Sequence, residues 1–318
     1  MQGELILVDF RYHLVSIVAV FLALALGVVV GTTQLNGAVL DDLNGRVNGL
    51  TSDKRGLEST ISDLHGQTGS DTKLIQALGP AAVAGQLTDR RIVLVSAPNA
   101  PSGLRDGVVP LLESAGATIA TDVRLGPDLV DPAKGKVIED ALAKVASDGT
   151  ARSGSPLEQA ARLLASSLVA KDDDVPASEA RSAVLKGLES ADLVDVDGAI
   201  EAPGSLVVML TGEPVKSTDQ QGLRARLQAL LTLASVFDDA GVGVVFVGPE
   251  SSAEQDGALQ ALRQDNDLAS RVSSVDRADS PQGRIATVFA LREQADGGSG
   301  QYGIGPDNDG PLPQPLPR

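Results

Sequence analysis

Two patterns open the chain: residues 12–34 are almost entirely apolar, and from residue 40 apolar positions recur every third and fourth residue. No Asp, Glu, Lys or Arg lies between Arg11 and Asp41, which exceeds the ~20 residues a bilayer-spanning helix requires. That length speaks against a buried core helix. A cleaved signal peptide needs a positive start, a shorter apolar stretch and a small-x-small site. Here Glu4 and Asp9 outweigh Arg11, and Asn36 to Ala38 is a poor cleavage match. The pattern predicts a short N-terminus (residues 1–11) and an uncleaved, lipid-contacting anchor (residues 12–34). Arg11 before the span, against Asp41, Asp42 and Arg46 after it, places the N-terminus in the cytosol and the remainder outside.

Within the span, Ala19, Ala23, Gly27 and Gly31 recur every fourth residue. Such a ladder lets helix backbones approach closely in lipid, although Ala and Gly are also common in spans and fall at this spacing by chance. Leu40, Leu43, Val47, Leu50, Lys54, Leu57, Ile61 and Leu64 alternate spacings of three and four residues. That is a heptad seam with one polar position, Lys54, of the kind that sets register at some cost in stability. It predicts a coiled-coil stalk over residues 35–68, as a homodimer or a hetero-coil. A lone amphipathic helix would need a groove to bury the same seam. Gly45, Gly49 and Gly56 each cost about 1 kcal/mol of helix propensity, so the coil depends on the tethered span or on a partner. Glycines at 66, 69 and 79 with Pro80 are expected to end the helical region.

Beyond this the period changes. Ile92–Ser96, residues 205–214 and residues 242–251 are short apolar runs closing on polar, Pro-containing loops, which read as buried parallel strands. Lesser strands are expected at 117–123, 271–276 and 284–292, and helices at 103–115, 133–147, 156–170, 177–190, 218–239 and 252–264. The alternation predicts an α/β domain over residues 87–293, a Rossmann-like, doubly wound, mostly parallel sheet. Its binding crevice would lie beyond the strand carboxyl ends, which carry Ser96, Asn99, Thr211, Glu213, Glu250 and Ser251. The same residue types are what turns and helix caps need, so they are weak ligand candidates.

A net charge of -16 argues against nucleic acid and anionic lipid surfaces as partners. The chain has no Cys, so no disulfide is available. Neither GxxxxGK[ST] nor a post-strand GxGxxG occurs, and His13 and His65 lie outside the α/β region. No catalytic residue, cofactor or metal ligand is assigned, and an enzyme is not expected. The run Lys171–Asp174 lacks the spaced ligands and glycine of a calcium loop. Residues 294–318, rich in Gly, Pro and Asp, are expected to be disordered, with "PLPQPLP" near polyproline II.

The block "FRYHLVSIVAVFLALALGVVVGTTQL" resembles the start of the actinobacterial MctB-type copper transporter family. The resemblance runs through the heptad segment and the α/β region to about residue 293. It implies copper export or homeostasis through an oligomeric channel of the outer envelope, with copper as transported ion. Through the related SteB-like cell-separation proteins it also implies a division-site scaffold working with a second membrane protein and peptidoglycan hydrolases. Copper(I) prefers thiolate and thioether ligands, and two Met, two His and no Cys make no cluster. The scaffold is therefore the expected mechanism and copper transport the alternative. A helical span favours the inner membrane, because outer membranes characteristically hold barrels.

Overall fold

The computed structural model of the chain describes residues 5–145, 153–171, 177–198 and 202–316. It divides into two compact units, Met1–Ser70 and Asp71–Arg318. Asp172, Asp173 and Asp174 of the acidic run lie outside the described residues, as does the side chain of Leu40.

The first unit is helical. Helix α1 (Leu5–Val83) contains one segment, Phe10–Gly31, long and apolar enough to cross a membrane, and none of it is buried within the chain. The helix does not stop at the glycines of residues 66–79; it continues through Pro80 to Val83. Each glycine costs only about 1 kcal/mol, and tertiary packing sets most helix stability in proteins. Val83 and, just beyond the helix, Leu87 are completely buried.

The second unit is built on one sheet. Its strands are β1 (Arg91–Ser96), β2 (Thr118–Leu125), β3 (Val194–Asp197), β4 (Leu206–Leu210), β5 (Gly243–Val247), β6 (Ser273–Val275) and β7 (Gln301–Tyr302). Between them run α2 (Ser102–Ser114), α3 (Gly135–Val145), α4 (Pro156–Leu168), α5 (Ser178–Glu189), α6 (Gln220–Ala240), α7 (Ala258–Gln264), α8 (Asn266–Ala269) and α9 (Pro281–Ala295). The strand order is β3-β2-β1-β4-β5-β6-β7, parallel throughout except for β3, which pairs antiparallel with β2 at one edge. The sheet is therefore mixed.

β4 and β5 are buried along their whole length, and β1 is buried after its exposed first residue, Arg91. Continuous apolar runs give this when both faces are covered. Val93, Val95, Val207, Met209, Val244 and Phe246 pack with the helices α3 to α7. Ile92, Leu94, Leu206, Val208, Val245 and Val247 pack on the other face with α2, α9 and the end of α1. Truncating one of these side chains, as in Leu94→Ala, costs about 2–5 kcal/mol. Local sequence starts several helices. Ser155 and Glu158 form a capping box on α4, and Asp219 caps α6 by accepting from Gly222 N–H at 2.9 Å.

Three expectations are corrected. Residues 284–292 are helical, within α9, because Ser280 accepts from Gly283 N–H at 3.1 Å and Pro281 occupies the first turn. The helix expected at 252–264 is a 3-10 turn at Glu250–Ala253 followed by α7. Gly257 divides them where a Cβ would lie 2.1 Å from the Ser252 carbonyl oxygen. The segment from residue 294 is not disordered over its described part. Its first two residues finish α9, β7 pairs with β6, and Gln301 and Tyr302 are buried.

Candidate functional site

After β1 the chain builds β2 on one side, while β4 and the later strands lie on the other. In open α/β sheets, ligands bind outside the strand carboxyl ends at such a change of direction. The loops following β1 and β4 meet there. Asn99 Nδ2 donates to the Glu213 carbonyl at 2.9 Å. A Cβ on Gly212 would sit 1.9 Å from the Asn99 carbonyl oxygen, so the loops approach this closely only because residue 212 is glycine.

Between these loops, α6 and the segment after β2 lies a cleft of about 160 Å³, lined by Asn99, Thr211 and Glu213 among others. Its apolar wall includes Leu223, Leu227 and Leu230 of α6. A second cavity of about 220 Å³ is lined by Ile138, Leu157 and Ala229, and shares Val130 and Asp131 with the first. Asp131 thus stands at the partition. Its carboxylate accepts from Ala133 N–H at 3.0 Å and from Arg226 Nη2 at 3.1 Å. The Ala133 N–H holds the Asp131 carboxyl below its ordinary range; burial opposes it, and Arg226 adds to the lowering. Thr211 is completely buried on the cleft floor, and its Oγ1 has no hydrogen-bond partner.

The six strand-end candidates divide. Asn99, Thr211 and Glu213 come together in the cleft. Ser96 lines a neighbouring depression of about 330 Å³ beside Arg105 and Arg124. Those cations are paired, Arg105 with Asp122 and Arg124 with Asp195. Glu250 and Ser251 belong to the 3-10 turn after β5, where Glu250 lies 3.7 Å from Arg277. Sequence reading missed Asp131, Arg226 and Asp256, which also line the cleft. A usable signal existed for α6, because Leu223, Leu227 and Leu230 follow the i, i+4, i+7 spacing of one helix face.

In the first unit, Ala19, Ala23, Gly27 and Gly31 lie on the apolar part of α1, and a Cβ on Gly27 or Gly31 would meet nothing within 4 Å. Along the seam, Leu43, Val47, Leu50, Leu57, Ile61 and Leu64 are 51–69 % exposed. Lys54 lies 3.5 Å from Glu58 one turn on. Among the described residues, no group of three or more His, Cys, Asp or Glu is placed to hold a metal ion. Met209 is buried in β4.

Comparison with known proteins gives a consistent result. The model of a family described as "Copper transport outer membrane protein, MctB" matches residues 7–313. The protein named "Copper transporter MctB" in Mycobacterium tuberculosis (strain ATCC 25618 / H37Rv) is 26% identical over 316 residues. The match takes in 94% of this chain and 97% of that protein. A protein of the same name in Mycobacterium leprae (strain TN) is 26% identical over 317 residues, with the same coverage.

Proposed function

The chain belongs to the MctB family, and from that membership we propose that it acts in copper transport at the cell envelope, as a single-span chain with its N-terminus in the cytosol. The observation that carries the proposal is the family match over residues 7–313, which takes in the apolar helix and the α/β unit together. We read the second unit as a Rossmann-like domain on the far side of the membrane. The change of strand direction between β1 and β4 supports the Rossmann-like part of that reading.

Copper as cargo needs a path, and this chain is poor in soft donors. It has no Cys, and the Met209 thioether is enclosed by the core. We therefore assign transport to an assembly of several chains. Two features support assembly: the open space beside Gly27 and Gly31 and the exposed seam from Leu43 to Leu64. The small-residue ladder permits close helix packing in lipid, and a seam repeating every 3.5 residues suits a coiled coil. The division-site scaffold implied by the SteB-like resemblance finds no support in the relatives, which are named for copper transport.

The test is copper flux into proteoliposomes containing the full-length protein, against empty liposomes and a Gly27→Ile/Gly31→Ile variant. Saturable flux that the variant loses is expected. Absence of flux from inserted, oligomeric protein refutes the transport reading and leaves the seam and the outer domain as the functional parts. Cross-linking of Leu43→Cys or Leu57→Cys tests the coil separately, since a homodimer must give a symmetric product.

A further inference from the structure

We propose that the cleft at the β1/β4 change of direction, with the cavity beyond Asp131, binds a small molecule that has an apolar body and an alcohol or amine head and is not an anion. Three observations converge on it.

The first is shape and lining. Two adjoining cavities of about 160 and 220 Å³ share Val130 and Asp131. Pro214, Leu223, Leu227 and Leu230 line one and Ile138 and Leu157 the other. A concave, mostly apolar pocket with a few convergent polar groups is the usual form of a small-molecule site.

The second is Thr211. Its Oγ1 is enclosed on the cleft floor without a hydrogen-bond partner, whereas buried polar groups in folded proteins are nearly always paired. The Thr211 N–H is satisfied, because it donates to the Val247 carbonyl at 2.9 Å. The hydroxyl has no such partner. An O–H or N–H of a bound molecule completes it.

The third is charge. Asp131, Glu213 and Asp256 line the first cleft against one cation, Arg226, and that cation is already bonded to Asp131. Two carboxylates are left over, and they repel an anionic ligand while leaving an alcohol or amine unpenalised.

The chain has no Cys, so one introduced thiol is a unique reporter. Val215→Cys places it at the cleft, where Val215 is 46% exposed. Leu316→Cys is a control that lines neither cavity and starts 47% exposed. Maleimide alkylation of each full-length, detergent-solubilised variant is timed with 4-phenylbutan-1-ol, 4-phenylbutylamine or 4-phenylbutanoate present. The control separates site occupancy from partition into detergent. The alcohol and the amine are expected to slow alkylation at Val215→Cys and leave Leu316→Cys unchanged, with 4-phenylbutanoate about tenfold weaker or worse. Adding Thr211→Val to Val215→Cys should weaken the alcohol and amine roughly fivefold, with the unfolding midpoint unchanged or raised because a hydroxyl lacking a partner is lost. Absence of protection by both the alcohol and the amine overturns the site. Equal protection by the butanoate overturns the charge selection, and indifference to Thr211→Val overturns the role of the hydroxyl. The copper-flux result bears on none of these readings, so the two proposals fail separately.

Discussion

Replacing Arg263 with Met should release the C-terminal segment from the sheet. The Arg263 guanidinium is enclosed, with its Nη2 3.1 Å from Asp276 Oδ2, and the two side chains are 1% and 0% exposed. It also donates from Nη2 to the Tyr302 carbonyl at 2.9 Å, from Nη1 to the Pro306 carbonyl at 2.8 Å and from Nε to Ser274 Oγ at 2.9 Å. Asp276 in turn accepts from Ile304 N–H at 2.9 Å and Gly305 N–H at 3.0 Å. Burial pushes Arg263 below its ordinary pKa, and Asp276 opposes that shift. Removing one partner of such a buried pair strands the other charge, at a cost of about 3–5 kcal/mol. Against a typical domain stability of about 5–15 kcal/mol, the loss is large. The Asp276→Asn change, added to Arg263→Met, removes the stranded charge while keeping an acceptor for one N–H, and should recover part of the loss.

Hydrogen exchange of the full-length protein, read by mass spectrometry on peptides covering residues 301–310 and β6, localises the effect. A loss of 3–5 kcal/mol corresponds to roughly two to nearly four orders of magnitude faster exchange where opening limits it. Peptides from the seam of α1 should be unchanged. Exchange over residues 301–310 within about threefold of wild type, a shift below ~1 kcal/mol, would refute the clamp. So would a double variant no better protected than Arg263→Met alone.

Burial, and after it the hydrogen bond to Glu293, raises the pKa of Tyr302. A raised folded pKa contributes stability that is complete below the ordinary tyrosine value of about 10 and is lost as pH rises through the folded value. In a Tyr12→Phe background, where Tyr302 is the only tyrosine, phenolate absorbance should therefore appear together with alkaline unfolding; a reversible ionisation near pH ~10 with far-ultraviolet dichroism intact contradicts this. Gly212→Ala brings a Cβ to 1.9 Å from the Asn99 carbonyl oxygen, so the loops after β1 and β4 must part. A cost of about 1–3 kcal/mol in urea unfolding is expected, with faster exchange at residues 97–101 and 211–215; wild-type exchange there would count against the close approach.

What consecutive residues encode was legible, and what distant residues assemble was not. The apolar segment of residues 12–34 is a composition carried by neighbours, so its uncharged length announces it. The buried strands β1, β4 and β5 declare themselves as apolar runs closed by turn residues, because both faces of a mostly parallel sheet are covered. β3 carries a readable sign of its own: Val194 and Val196 alternate with Asp195 and Asp197 before Gly198, the period of a half-exposed edge strand. Ser280–Pro281 likewise marks a helix start, whereas Ile285, Thr287, Val288 and Phe289 within α9 have strand propensity. No such sign existed for residues 301–310. Gly, Pro and Asp there describe a flexible chain until Arg263 and Asp276, far back in the sequence, supply partners for its carbonyls and N–H groups. The cleft has the same character. Asn99, Asp131, Thr211, Arg226 and Asp256 come from five separate segments, and no short stretch of sequence joins them. Only the strand order, which puts β4 beside β1 rather than beyond β3, brings those segments into one concave surface. The apolar part of α1 is thus specified by local composition, whereas the cleft of the second unit is specified by topology.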